Sequence, residues 1–320
     1  MEHLVSMITY CYNGERFISK YFEALLSQTY SNIELIFFNN GSEDKTGEIA
    51  ESYKDRLIQK GIDTKIIHFE KNQSTCLLKQ KAFQMMKGEY FFGCDSDDLI
   101  DPTYVEEMTQ YLMEHPEKGI VYCQLRVIRE ETGEQSSIMK MEPRYESKKA
   151  FEDILLGTNI NFTAISYMMS KKHFERINPT KSIYISNYGE NYQVQIPFLY
   201  NNLQGYIEKP LGQYTVRGDS YTGSLTLEKK YNALKGQEEA VLATLDTLQG
   251  SDIEYYKNFF LKRIRRERFY TVLFLNENAL VKECYKELKE VKKLSVKERL
   301  SYVLFECGLL PLAKKIKGYS

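Results

Sequence analysis

In the stretch YFFGCDSDDLIDP (residues 90–102), four carboxylates follow an apolar run within seven residues. The apolar run is typical of a buried strand, and carboxylates this close repel one another unless a cation or a helix end stabilises them. Asp101 precedes a proline and a helical stretch, which predicts an N-cap at Asp101. Asp95 and Asp97 flank one residue of the turn, where both can face the same ligand. Asp98 is expected to orient the turn.

The residues before this turn alternate between strand-like runs and helical patterns. Compact apolar runs predict four strands, which span 4–9, 33–38, 64–69 and 89–94. Apolar side chains spaced three or four apart predict helices between them, the third of which is expected to stop at Gly88. Strand–helix alternation of this kind predicts an α/β fold with a mixed, mostly parallel sheet flanked by helices.

Polar clusters stand at the carboxyl ends of three of these strands. They are YCYNG at 10–14, NNGS at 39–42 and DSDD at 95–98. Ligands of such sheets bind beyond the carboxyl ends of the strands, which meet at one edge. We therefore expect the three clusters to lie side by side.

The pair of Asp95 and Asp97 predicts a divalent-cation site, with a solvated acidic turn as the alternative. Carboxylate oxygens are hard ligands that suit Mg²⁺ or Mn²⁺, and Mg²⁺ in particular commonly shares its coordination shell with substrate phosphates. The four histidines show no metal-ligand spacing, so a zinc site is not expected.

Composition narrows the classes of protein. A net charge of −1 on 320 residues gives no sign of nucleic-acid binding. The six cysteines are scattered without a CxxC pair, and the first ten residues show no signal-peptide pattern, so we expect a reduced, cytoplasmic protein. No GxGxxG follows the first strand and no P-loop motif occurs, which argues against a dinucleotide-dependent oxidoreductase or an NTPase.

Several short motifs occur in an order and spacing that resemble a known family. They are YNGE at 12–15, QTY at 28–30, NNGSEDKT at 39–46, KGEY at 87–90 and DSDD at 95–98. Over residues 1–115 the chain resembles the nucleotide-binding half of family 2 glycosyltransferases, which have the GT-A (Rossmann-like) fold. Residues 188–220 are similar to the acceptor side of the same family.

The resemblance implies an inverting, metal-dependent glycosyltransferase. Such an enzyme moves a sugar from a nucleotide-diphosphate donor, with a UDP-sugar favoured, to a hydroxyl of a glycan or lipid-linked acceptor. The implied setting is the synthesis of a cell-surface or capsular polysaccharide. The implied GT-A domain spans 1–224, with a nucleotide-sugar half at 1–115 and an acceptor half at 116–224. A helical region follows at 225–320.

The resemblance also carries roles to particular residues. Asp97 is implied as a direct ligand of Mn²⁺ or Mg²⁺, and Asp95 as a contact of the ribose or of the metal's water shell. Arg217 is implied to neutralise the diphosphate, because Tyr221 stands where relatives often have a histidine. The implied nucleotide-binding residues are Tyr10, Tyr12, Asn40, Lys79, Asp95 and Ser96.

Two departures from the family pattern bear on the chemistry. Asn40 stands where relatives have an aspartate that meets the base, and its amide oxygen can still accept the N3–H of a uracil. The acidic pair of the acceptor side is here Glu190-Asn191. Because an asparagine cannot take a proton, Glu190 is the candidate base. The alternative function is a catalytically weak, nucleotide-sugar-binding subunit of a glycosyltransferase complex.

The C-terminal region is amphipathic and basic. One helical face carries Val296, Leu300, Val303, Leu304 and Cys307, and residues 282–320 contain ten Lys or Arg against five Asp or Glu. Such a face can lie on an anionic membrane surface, pack on the rest of the enzyme or contact a second copy of the chain. The first use would place the protein at the inner face of the cell membrane.

Overall fold

The structure is a computed structural model that describes residues 3–144, 148–186, 188–217, 226–275 and 277–309. Tyr221, noted above for its place in the family pattern, lies outside these residues. The chain divides into two compact units, Met1–Gly223 and Ser224–Ser320. The first unit is an α/β fold built on one sheet, and the second is helical.

Nine strands of the described residues form a single sheet. Their bounds are β1 Val5–Cys11, β2 Ile33–Asn39, β3 Asp63–His68, β4 Tyr90–Gly93, β5 Leu99–Ile100, β6 Ile120–Arg129, β7 Gln135–Met139, β8 Tyr167–Ser170 and β9 Gln204–Val216. The strand order is β3-β2-β1-β4-β8-β6-β9-β5, and β7 pairs with β6. The pairs among β1 to β4 are parallel, whereas β8 runs antiparallel to β4 and β6. The predicted α/β class with a mixed sheet is confirmed.

Helices connect most of the strands in the first unit and make up the second. Those of the first unit are α1 Ile18–Leu26, α2 Thr46–Gln59, α3 Thr75–Met85, α4 Tyr104–Glu114, α5 Lys149–Leu156, α6 Lys171–Ile177 and α7 Glu190–Tyr200. Those of the second are α8 Leu227–Asp246, α9 Ile253–Val272, α10 Asn278–Val291 and α11 Val296–Glu306. Helix α1 shows why the periodicity predicted them: it buries Ile18, Tyr21, Phe22 and Leu25, which lie on one helical face.

A buried acid fastens the amino-terminal ends of the parallel strands. All seven residues of β2 are buried, including Glu34. Its carboxylate accepts hydrogen bonds from Ser6 Oγ at 2.5 Å, from the Gly88 N–H at 3.1 Å and from the Lys87 N–H. Lys65 Nζ lies 3.4 Å from the same carboxylate. These bonds join β1, β2, β3 and the turn before β4 at the end of the sheet opposite the polar clusters.

Two predicted helix ends are wrong. Helix α4 has Thr103 at its N-cap instead of Asp101, whose carboxylate pairs with the Arg126 guanidinium of β6. The carboxylate that was expected to cap the helix therefore forms an ion pair with the sheet instead. Helix α3 ends before Gly88, and glycine is needed there for another reason. A Cβ at Gly88 would lie 2.5 Å from the backbone nitrogen of Ser6.

The second unit contains a buried charge network. Arg268 of α9 is 3% exposed, and its Nη1 lies 2.7 Å from Glu238 of α8 and 3.1 Å from Glu287 of α10. Its Nη2 donates to the Tyr231 hydroxyl at 3.2 Å. A buried guanidinium needs such partners, because its desolvation is costly. The network therefore fixes α8, α9 and α10 against one another.

Two further properties concern the whole set of described residues. No helix among them combines the length and the apolar character needed to cross a membrane. All six cysteines are free thiols, and Cys307 alone among them is exposed. Burial raises the pKa of the Cys11 thiol to about 11, so that thiol is not a nucleophile at neutral pH.

Candidate functional site

The three polar clusters meet at one edge of the sheet, as predicted. Strand β1 lies between β2 and β4, with Cys11 opposite Asn39 and Ile8 opposite Gly93. Because the three strands are parallel, the loops that follow them leave the sheet at the same end. The candidate site is therefore the surface formed by residues 10–14, 39–42 and 95–98.

The loops after β1 and β2 are joined by reciprocal hydrogen bonds. The Asn13 N–H donates to Ser42 Oγ at 3.0 Å, and the Glu43 N–H donates to Asn13 Oδ1 at 2.9 Å. The Gly14 N–H donates to Thr46 Oγ1 at 2.7 Å. Asn13 has a φ of 50°, a left-handed conformation that asparagine tolerates better than most residues. The two loops thus form one continuous wall of the site.

Three predicted nucleotide-binding residues belong to this wall. The Tyr10 ring stacks on Phe38 at a centroid distance of 5.6 Å, and its buried hydroxyl has no hydrogen-bond partner among the described residues. The Tyr12 side chain is exposed. Asn40 is buried, and its amide group binds the backbone of Gln73 through two hydrogen bonds of 3.0 and 2.8 Å. Asn40 thus anchors the loop before α3 and keeps one lone pair of Oδ1 for a ligand.

The turn after β4 divides into exposed and buried residues. Asp95 is exposed and Asp97 is partly exposed, whereas Ser96 and Asp98 are buried. Asp98 Oδ1 accepts a hydrogen bond from the Thr215 N–H at 3.4 Å. Burial, and secondarily the two neighbouring aspartates, raise the pKa of Asp98 well above its ordinary value. Asp98 therefore fastens the turn to β9, and Asp95 and Asp97 stay accessible to a ligand.

Asp95 lies where negative charge accumulates. Its surface is open to the cleft, yet the surrounding protein removes much of its hydration. This desolvation and the nearby Asp97 carboxylate raise the pKa of Asp95 to about 6, while Lys79 opposes the shift and Glu190 adds to it. A carboxylate whose pKa is raised in this way is typical of functional sites. A bound cation would relieve the repulsion.

Arg217 faces the carboxylate turn. Its Nη2 lies 2.7 Å from Asp97 Oδ2, and its guanidinium carbon lies 4.8 Å from the centre of the Phe17 ring. The role of Phe17 was not predicted, because a single aromatic residue before a helix carries no such signal. The ring and the carboxylate together hold a positive group beside Asp97.

The donor set suits a divalent cation that also binds phosphate. Among the described residues, no three His, Cys, Asp or Glu side chains are grouped as a complete metal site. Mg²⁺ is usually held by one or two carboxylates, with phosphate and water oxygens completing its shell. Asp95 and Asp97 can provide the two carboxylates, and a cation bound there would share Asp97 with Arg217. The residues therefore fit the predicted Mg²⁺ or Mn²⁺.

A cavity of about 90 Å³ lies among β1, β4, β8, α3 and α7. Its polar lining includes Tyr10, Thr75, Lys79, Asp95, Tyr167, Glu190 and Asn191. Most of the remaining lining is apolar, with Ile8, Phe83 and Phe91 among it. The cavity brings Glu190, predicted for the acceptor half, together with Lys79 and Asp95 of the nucleotide half.

Asn191 joins the two sides of this cavity. Its Oδ1 accepts hydrogen bonds from Lys79 Nζ at 2.8 Å and from the Tyr167 hydroxyl at 3.3 Å. Its Nδ2 donates to the Phe162 carbonyl at 3.0 Å, which an aspartate could not do. Asn191 is thus a scaffold residue, and Glu190 is the acid beside it. This contact was not predicted, because residues 112 positions apart share no local pattern.

Comparison with known proteins places the first unit in a family. The model of the family described as Glycosyl transferase family 2 matches residues 6–177, just over half of the chain. An uncharacterized glycosyltransferase of Rickettsia typhi is 36% identical over 148 residues, which are 46% of this chain and 43% of that protein. The glycosyltransferase GlyG of Streptococcus pneumoniae is 30% identical over 114 residues, 36% of each chain. The matched segment spans less than half the length of these relatives.

Solved structures share the fold over nearly the whole chain. TarS 1–349 of S. aureus, in complex with UDP-GlcNAc, is 16% identical with a TM-score of 0.68, over 99% of this chain and 93% of that one. The mannosyltransferase PcManGT of Pyrobaculum calidifontis, in complex with GDP-Man and Mn²⁺, is 13% identical with a TM-score of 0.54, over 100% and 82%. At these identities the likeness shows the fold alone. Together with the family match, the carboxylate turn and its neighbouring loops lead to one conclusion: the chain belongs to glycosyltransferase family 2.

Proposed function

We propose that this chain transfers a sugar from a nucleoside-diphosphate donor, with a UDP-sugar favoured, to a hydroxyl of a glycan or lipid-linked acceptor, with inversion. The observation that carries the proposal is the cavity where Lys79, Asp95 and Glu190 meet. It combines groups that can stabilise a charged leaving group with an acidic residue that can take a proton from an acceptor hydroxyl. Function is argued from this site, because a shared fold alone does not define a reaction.

The departing nucleoside diphosphate gains negative charge, so the site needs positive groups fixed in advance. Arg217 beside Asp97 and Lys79 at the cavity are such groups. In the proposal, Asp97 directly and Asp95 directly or through water hold Mn²⁺ or Mg²⁺. The bound cation supplies a further positive charge against the diphosphate. The Mn²⁺ in the PcManGT complex supports this part of the proposal.

Glu190 is the proposed general base. It begins α7 directly after Gly189, whose φ of 80° is a left-handed conformation that favours glycine. Glu190 would take the proton of the acceptor hydroxyl while the hydroxyl oxygen bonds to the anomeric carbon. The bond from that carbon to the diphosphate breaks on the opposite side, and this displacement inverts the configuration. Asn191 is committed to its three hydrogen bonds and has no group that accepts a proton.

The nucleotide is proposed to lie against the wall formed by residues 10–14 and 39–42. Tyr10 and Tyr12 offer aromatic surfaces to a base, and the remaining lone pair of Asn40 Oδ1 can accept the N3–H of a uracil. Ser96, which is buried in the turn after β4, would keep the turn in place beside the ribose. The UDP-GlcNAc bound to TarS supports a uridine nucleotide.

The proposed setting is the synthesis of a cell-surface or capsular polysaccharide in the cytoplasm, at the inner face of the membrane where the acceptor is lipid-linked. The bacterial glycosyltransferases that match the chain support the transfer of a sugar. A catalytically weak binding subunit is not favoured, because Glu190 lines the same cavity as Asp95.

The proposal is tested by thermal shift with the diphosphates and diphosphate sugars of uridine, thymidine and guanosine, with and without Mn²⁺. A ligand present at 100 times its Kd stabilises the folded state by about 2.7 kcal/mol. We expect the largest rise in Tm with a uridine compound and Mn²⁺, and a much smaller rise in the Asp97→Asn variant. If no nucleotide raises Tm, the proposed donor site is wrong.

A further inference from the structure

Helix α11 carries an exposed apolar face. The exposed fractions are 82% for Val296, 50% for Leu300 and 53% for Val303, and Cys307 directly after the helix is also exposed. Leu304 was predicted on the same face but packs against the core of the second unit. Apolar side chains that are exposed to water at this density on one helical face are typical of a surface that binds a partner.

The spacing of these residues is that of a seam between two helices. Successive steps of four, three and four residues separate Val296, Leu300, Val303 and Cys307, which is the alternation of a and d positions in a heptad. If a second copy of α11 lies antiparallel, with a twofold axis between Leu300 and Val303, each Leu300 faces a Val303. Each Val296 then faces a Cys307. All four positions find an apolar counterpart, as a twofold symmetric interface requires.

The charges beside this seam match the same arrangement. Arg299 and Glu306 are exposed and lie seven residues apart, so they stand on the same flank of the helix. In an antiparallel pair, Arg299 of each copy lies beside Glu306 of the other, which gives two attractive contacts. Within its own chain, Glu306 lies 3.6 Å from Lys282 across the surface. An anionic membrane would attract Arg299 but repel Glu306, whereas a second copy of the helix pairs both charges.

We propose that two copies of this chain associate through α11, packed antiparallel along Val296, Leu300, Val303 and Cys307. A three-turn helix contact is smaller than the standard interface of about 1,600 Å². The association through α11 alone is therefore expected to be reversible and to depend on protein concentration.

Sedimentation equilibrium of the full chain over a range of concentrations tests the proposal. We expect the wild type to shift from monomer to dimer, and Leu300→Asp to remain monomeric because a charge would enter the seam of both copies. Ile58→Asp is the matched control, since Ile58 is 52% exposed on α2 of the other unit. Its dimer should match the wild type. A wild type that stays monomeric, or a Leu300→Asp dimer of unchanged strength, would overturn the proposal.

Charge exchange tests the antiparallel register without altering the apolar seam. Arg299→Glu and Glu306→Arg should each weaken the dimer about tenfold, because each places two like-charge pairs across the seam. The double variant should restore the dimer to within about twofold. If the double variant is as weak as the single ones, the antiparallel register is wrong. If Leu300→Asp instead removes binding to phosphatidylglycerol vesicles without changing the mass, the occupant of the face is a membrane.

Discussion

Lys79 Nζ donates a hydrogen bond to Asn191 Oδ1 over 2.8 Å, which joins α3 and α7 across the candidate cavity. The same Asn191 side chain donates to the Phe162 carbonyl. The amide oxygen of Asn191 therefore accepts a hydrogen bond from a cation, and its amide nitrogen donates one to a carbonyl. This double use explains how an asparagine is accommodated at residue 191, and in the proposal above it leaves Glu190 as the group that takes the proton.

Asn191→Asp should weaken the fold without adding activity. The carboxylate would keep the contact with Lys79 but would face the Phe162 carbonyl with no proton to donate. Leaving this partly buried carbonyl unpaired costs at most about 1–3 kcal/mol. We expect a lower Tm and an unchanged or lower kcat. A clear rise in kcat at unchanged Tm would show that the base belongs at residue 191.

Glu190→Gln should abolish most of the turnover and leave donor binding intact. The amide cannot accept the proton of the acceptor hydroxyl, and loss of a general base typically lowers kcat by 10²–10⁴-fold. The Kd of the nucleotide, measured by titration calorimetry, should change less than about threefold. Glu208→Gln, at an exposed glutamate of β9, is the control and should keep full activity. Full activity of Glu190→Gln would place the base elsewhere.

Asp95→Asn should raise the stability of the metal-free protein at neutral pH. The folded pKa of Asp95, about 6, lies above the ordinary value of about 3.9. A carboxyl group whose pKa is raised in the folded state destabilises the fold when it ionises. This destabilisation grows as pH rises between the two pKa values and is complete above the higher one. In EDTA, the gain in Tm should therefore be larger at pH 7.5 than at pH 5. Asp55→Asn, at an exposed aspartate of α2, should give no such difference. An equal gain at both pH values would contradict the account.

Glu34→Gln should destabilise the sheet, and the loss should shrink in acid. Burial raises the pKa of Glu34, but hydrogen bonds from Ser6, Lys87 and Gly88 and the charge of Lys65 outweigh it and hold the pKa below its ordinary value. The stabilisation is therefore present above the ordinary pKa of about 4.3 and is lost as pH falls through the lower folded pKa.

Urea unfolding measures this difference between wild type and Glu34→Gln. At pH 7.5 we expect a loss of about 2–4 kcal/mol, because the substitution leaves buried N–H groups without a charged acceptor. At pH 3.5 the difference should be smaller. Glu48→Gln, at an exposed glutamate of α2, should stay within about 0.5 kcal/mol of wild type. A loss that is the same at both pH values would show that the charge of Glu34 does not matter.

The fold could be predicted because its signals are local. Apolar runs at β1, β2 and β4 and the three-four spacing in α1 are each contained in one short segment. The place of Asp95 and Asp97 could be predicted because they follow β4, which runs parallel to β1 and β2 in the same sheet. Helix ends were harder: Asp101 had the sequence of an N-cap, yet an ion pair with Arg126 of a distant strand determined its contact.

The internal contacts of the site could not be predicted, because they depend on residues far apart in sequence. The stacking of Arg217 over Phe17 and the bond between Lys79 and Asn191 each join distant segments. Their formation depends on tertiary packing that no periodicity encodes. The family resemblance pointed to Lys79 and Arg217 as charged groups of the site, but only the folded arrangement shows which neutral residues hold them.

The most direct test of the central proposal is the release of nucleoside diphosphate from a panel of nucleotide sugars with Mn²⁺. The assay compares the wild type with Asp97→Ala in the presence of a glycan acceptor. We expect release from a uridine diphosphate sugar by the wild type, and a rate at least about 100-fold lower in Asp97→Ala, because the diphosphate would lose its charge stabilisation. Equal rates in the two proteins, or no release from any donor, would contradict the assignment of residues 95–98 as the donor site.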